Sequence, residues 1–126
     1  HLNLAPLENA VVRLKAAAEA YDRAVRDAGP RAPAGARRRA DAILLRAEQS
    51  LTRPEGLPGR PWVRHFVYAP GFYTGYGVKT LPVVREAIEQ RQRDQVDAGV
   101  AATAAVLEAF AGQVEKASAA LAGGAE

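Results

Sequence analysis

The chain has 126 residues, a net charge of +3 and no cysteine, which fits one domain able to bury a core without covalent staples. The missing thiols exclude a disulfide framework and any thiolate metal site, and no run of about 18 apolar residues is present to span a bilayer. The one basic run, Arg37-Arg38-Arg39, opens a predicted helix far from the aromatic residues, so nucleic acid is not expected as a partner.

The chain starts His1-Leu2-Asn3, holds no methionine and lacks a signal-peptide layout at its N-terminus. The expectation is a segment of a longer protein. Its Ala- and Arg-rich composition leans toward a GC-rich bacterial genome.

Pro6 suits the first turn of a helix. Leu7, Val11, Leu14, Ala18, Tyr21, Val25 and Ala28 follow at steps of four and three, and Gly29-Pro30 stops the pattern. After a short Pro- and Gly-bearing loop, Ala40, Leu44, Ala47 and Leu51 repeat the spacing. That second helix must end near Thr52, ahead of Pro54.

The next stretch, Gly56 to Pro70, carries Pro58, Pro61 and Pro70 among Trp62, His65, Phe66 and Tyr68. Connections this long are uncommon in a compact domain and are usually functional or disordered. The aromatic content argues for order. Val63 to Tyr68 alternates like a short strand, although no partner strand is evident. Thr80 is a candidate cap for a third helix with Pro82 in its first turn and Val83, Val84, Ala87 and Ile88 buried.

The fourth helix is predicted from about Asp94 to Leu121. A seam of Val96, Val100, Thr103, Leu107, Phe110, Val114, Ala117 and Leu121 runs along it. At 1.5 Å per residue such a helix spans about 42 Å, and its other faces are small enough for close packing. The sum is an all-α fold: a single domain over 1–126, an antiparallel four-helix bundle with one long ordered loop between helices 2 and 3.

Catalytic candidates are few. His1 and His65 are the only histidines, too few for a zinc site of recognisable spacing. Ser50 and Ser118 lie on helices without a nucleophile elbow. No catalytic residue and no metal ligand is assigned, and as a fragment the chain is read as no enzyme. In the loop, Trp62 reads as an apolar anchor or a binding hot spot. His65 reads as a hydrogen-bonded structural group, and Arg64 as one half of an ion pair. Tyr73 and Tyr76, set among Gly71, Gly75 and Gly77, form the most ligand-like patch.

The run Gly56-Leu-Pro-Gly-Arg-Pro-Trp-Val-Arg-His-Phe-Val-Tyr-Ala-Pro70, with Tyr76, Leu81-Pro82 and Val83 to Ile88, closely resembles the transferrin receptor-like dimerisation domain found at the C-terminus of glutamate carboxypeptidase II-type zinc peptidases. Leu45-Arg-Ala-Glu48 and the small-residue last helix are similar to the same family. The resemblance implies a non-catalytic helical domain that mediates homodimerisation of its parent and lines one side of a peptide-substrate cavity. Zinc, its ligands and the catalytic glutamate would sit upstream in a protease domain, making the parent a zinc-dependent exopeptidase, with no cofactor in this domain and no membrane contact from it.

By resemblance, Gly75-Tyr76 occupies the place of a Lys-Tyr pair that meets the substrate's terminal glutamate. The phenol is kept and the ammonium is lost. Trp62, Arg64, His65, Tyr68 and Pro70 would be the structural part of that loop. Val100, Leu107, Phe110 and Val114 on the last helix are the expected dimer interface. The alternative implied by the same family is a helical interaction domain of a receptor-like homologue without peptidase activity.

Overall fold

The computed structural model describes residues 2–28, 30–73 and 77–123. Among them the order is α1 (Ala5–Ala28), α2 (Ala34–Ala47), a 3-10 turn (Glu48–Leu51), β1 (Tyr68–Pro70), β2 (Val78–Thr80), α3 (Pro82–Glu89) and α4 (Arg93–Leu121). None of these helices is long and apolar enough to cross a membrane.

α1 begins where the Asn3 side-chain carbonyl accepts the Ala5 N–H at 3.2 Å, the capping role short amide side chains fill at an open helix end. Its buried line is Ala10 and Ala17, flanked by the half-buried Leu7, Leu14 and Tyr21. The expected stripe is therefore only half right. Val11, Ala18 and Val25 face outward, because alanine, which a hydropathy stripe undervalues, takes the contact line and lets two helices approach closely.

α4 is the axis of the molecule, and α1, α2 and α3 each pack on it. Leu7 meets Val96 and Val100, Ala10 meets Ala104 and Leu107, and Ala17 meets Ala111 and Val114. Tyr21 and Ala24 lie against Ala117 and Leu121. Contacts that climb both helices together mean that α1 and α4 run parallel, which corrects the expected antiparallel bundle. Parallel neighbours need a crossover, and α2 supplies the return: Ala40 packs near the end of α4, and Leu51, just beyond α2, packs against its middle.

Val100 (1 % exposed), Leu107 (7 %) and Val114 (7 %) are core residues of this one chain, and Phe110 is half-buried beside them. That seam is spent on intramolecular packing. The long α4 looked self-associating from its pattern alone because α1 fits the same face.

The all-α expectation is also corrected. β1 and β2 form a two-stranded antiparallel ladder with Tyr68 opposite Thr80 and Pro70 opposite Val78. The extended segment thus has a partner across the 71–77 turn, and the strand starts where the predicted one ended. Thr80 closes β2 and does not cap α3. The cap position is Leu81, in the left-handed region at φ 48°, with no side-chain cap bond. In α3, Pro82, Val83, Val84 and Ala87 are buried, while Ile88 is exposed. Gly99 of α4 admits Val83: a Cβ there would lie 2.9 Å from Val83 Cγ1.

Candidate functional site

The Pro- and Gly-rich segment is held by its own backbone. Phe66 N–H donates to Leu51 O, Arg53 N–H to Arg64 O and Leu57 N–H to Val63 O, at 2.9, 3.0 and 2.8 Å. The two arms of residues 51–57 and 63–66 are thereby laid side by side. Gly56 makes the fold-back possible: its φ is +69° and a Cβ would stand 2.3 Å from the Pro61 carbonyl oxygen. Leu57, Phe66 and Ala69 then bury against Val83 and Val106. Phe66, rather than the Trp expected to anchor the loop, is the apolar anchor, and Trp62 is 75 % exposed.

One buried ion pair fastens this segment to the hairpin and to α3. Arg60 Nη2 donates to both carboxylate oxygens of Glu86, at 3.0 and 2.8 Å, with the two side chains 8 % and 13 % exposed. Arg60 Nη1 also donates to the Pro70 carbonyl, and Glu86 Oε1 accepts the Phe72 N–H at 2.9 Å. The guanidinium lies 5.2 Å from the Phe72 ring centroid, within cation–π range. A charge-assisted Arg–carboxylate contact, here with one nitrogen bridging both oxygens, is strong when buried. It grips the last residue of β1 and the first part of the 71–77 turn together. Gly71 N–H to Gly77 O, 3.0 Å, closes the base of that turn.

Sequence reasoning passed over Arg60 and Glu86. They are 26 residues apart, and no local spacing joins them. The one available signal was an arginine enclosed between Gly59 and Pro61, where a solvated cation has little reason to sit.

The other loop residues have defined places. His65 Nδ1 accepts the N–H groups of Val67 and Tyr68, at 3.2 and 3.3 Å, so the ring proton belongs on Nε2, which points toward Glu48 Oε1 at 3.7 Å. The Tyr68 ring stacks on His65 with centroids 4.7 Å apart. Arg64 is exposed and contributes its backbone carbonyl rather than an ion pair among the described residues. Pro70 contributes the carbonyl held by Arg60. Gly75 and Tyr76 lie outside the described residues.

A cleft of about 220 Å³ opens beside the clamp, between Phe72, Tyr73 and Glu86 on one side and Gln90, Gln92 and Gln95 on the other. Phe72 and Tyr73 meet edge to face at 4.8 Å, and Tyr73 is 81 % exposed. Lys79, the nearest cation along the chain, is committed to Glu89. Arg85 joins them at 3.1 Å. Hydrogen bonds from Lys79 first, then from Arg85, hold the Glu89 carboxyl below its ordinary pKa. Amides, a phenol and aromatic faces can bind and orient a polar group. Among the described residues no three His, Cys, Asp or Glu side chains converge to hold a metal ion.

Two relatives share part of this chain. It is 42 % identical over 50 residues to a probable glutamate carboxypeptidase, LAMP1, of Arabidopsis thaliana, covering 40 % of this chain and 7 % of the plant protein. It is 47 % identical over 38 residues to a probable glutamate carboxypeptidase of Arthroderma benhamiae, covering 30 % of this chain and 5 % of the fungal one. Both relatives are thus far longer than the stretch they share with it. The family described as the transferrin receptor-like dimerisation domain matches residues 2–115. That stretch runs from the start of α1 through the loop to most of α4, and the chain belongs to the transferrin receptor-like dimerisation domain family.

Proposed function

We propose that this chain is the non-catalytic C-terminal domain of a glutamate carboxypeptidase-like zinc metallopeptidase, that it mediates homodimerisation, and that its 71–77 turn lines one side of the parent's substrate cavity. The observation that carries the reading is the Arg60–Glu86 clamp. A buried ion pair that fastens the start of the turn, at the Pro70 carbonyl and the Phe72 N–H, is costly to desolvate, and a turn with no task would not need it. The names of the two relatives support a carboxypeptidase parent, and the family supports a dimer. Among the described residues no side chains converge to hold a zinc ion, and the proposal assigns the metal to the parent's protease domain.

Within this reading Tyr76 offers its phenol to the substrate, and Gly75 leaves room beside it where the family pattern has a lysine. The test is Tyr76→Phe in the full-length protein. One lost hydrogen bond, worth about 0.5–1.5 kcal/mol, raises KM by roughly two- to tenfold and leaves kcat in place. If KM and kcat both stay at the wild-type values, Tyr76 has no part in the cavity.

A further inference from the structure

We infer that the channel between α1 and α2 is the surface through which two copies of this chain pair. The inference rests on the dimerisation reading above and says where that pairing occurs. Both helices pack on α4 but scarcely on each other; Tyr21, Ala24, Ala40, Ile43 and Leu44 close over the end of α4 and leave a groove on the outside. One cleft of about 330 Å³ lies over Tyr21 and Val25 and reaches Arg37 and Asp41. A second, of about 490 Å³, shares Asp41 and lies along α2 alone, over Leu44 and Leu45.

The wall is apolar where a partner is needed. Leu45 is 84 % exposed and Val25 41 %, large apolar groups with no intramolecular reason to face water. The seam on α4 that might otherwise pair two copies is already buried. A two-fold interface sets residue i against j and j against i, so its surface must complement itself. This channel does. It carries a protruding Leu45 beside a cleft large enough to receive a leucine. Its α2 wall also carries Arg37 and Asp41, opposite charges that make no ion pair among the described residues. In the pair, Leu45 of each copy enters the cleft of the other, and Arg37 of each meets Asp41 of the other.

Sedimentation equilibrium of the chain over a wide concentration range tests this, with wild type beside Leu45→Asp, Arg37→Asp, Asp41→Arg and the double swap R37D/D41R. Circular dichroism checks that each variant, altered only at exposed positions, stays folded. The expected result is a wild-type dimer whose dissociation constant rises at least about tenfold in each single variant, as loss of a hot-spot contact does, and recovers in the double swap. A wild-type dimer indifferent to all four variants would overturn the channel and leave the dimerisation reading standing. A wild type that stays monomeric at every concentration would overturn both for this chain.

Discussion

Thr103 is the residue whose chemistry fits its surroundings least. It is 0 % exposed in the middle of α4, and its hydroxyl has no hydrogen-bond partner among the described residues. Burying a hydroxyl unsatisfied costs about 1–3 kcal/mol, and a nearly isosteric apolar replacement removes that cost. Thr103→Val is therefore expected to raise the unfolding free energy by about 1 kcal/mol in urea titration. A loss of stability would mean that the hydroxyl has a partner. Arg60 is only partly the opposite case: its Nε is also buried without a partner among the described residues, yet its two terminal nitrogens reach a carboxylate and a carbonyl, and the guanidinium faces a ring.

Among the elements, α1 and α4 are joined outside their alanine contact by Arg13. Its Nε and Nη2 donate to the two carboxylate oxygens of Glu115, both at 3.0 Å, and Nη1 donates to Glu108. These hydrogen bonds raise the Arg13 pKa further above its ordinary value. The bonds from Arg13 hold the Glu115 carboxyl below its ordinary pKa. A carboxyl depressed in the folded state adds stability above its unfolded pKa and loses it as the pH falls through the folded value. The denaturation midpoint should therefore fall on acidification through and below the ordinary glutamate range. The pair is exposed and salt-screened, so the effect is small. Arg13→Met should show a shallower acid dependence than wild type, and an identical pH profile would remove this link from the account.

The elements also mark what the sequence revealed and what it withheld. Helical periodicity located all four helices, since 3.6-residue spacing is local information. It misassigned the outer half of α1, where Ala10 and Ala17 beat Val11 and Val25 to the core, because close helix approach rewards small side chains over apolar ones. The hairpin was missed because each strand is three residues long, too short to alternate visibly. The loop motif was legible as a family pattern. The clamp beneath it was not, since it exists only after α3 has docked and brought Glu86 to Arg60.

At the scale of the whole molecule, α4 is an axis consumed by its own neighbours, and function is left to the periphery. One part of that periphery is the groove between α1 and α2, proposed above as the pairing surface. Another is the 71–77 turn, fixed at its start by the Arg60–Glu86 pair and carrying the exposed Tyr73. The two proposals thus put assembly and substrate contact on separate surfaces. Separate surfaces predict separable defects: variants in the channel should change mass without changing KM at concentrations where the parent is paired.

The central claim is that the clamp holds a substrate-facing turn, and steady-state kinetics of full-length Arg60→Lys tests it most directly. Lysine keeps the charge opposite Glu86 but has one nitrogen where the guanidinium uses two, one for the carboxylate and one for the Pro70 carbonyl. On a peptide that the full-length protein cleaves, the account predicts a KM raised several-fold with kcat within about twofold of wild type, the signature of lost substrate binding rather than lost chemistry. A folded variant with unchanged KM, or one whose only change is a lower kcat, would contradict it.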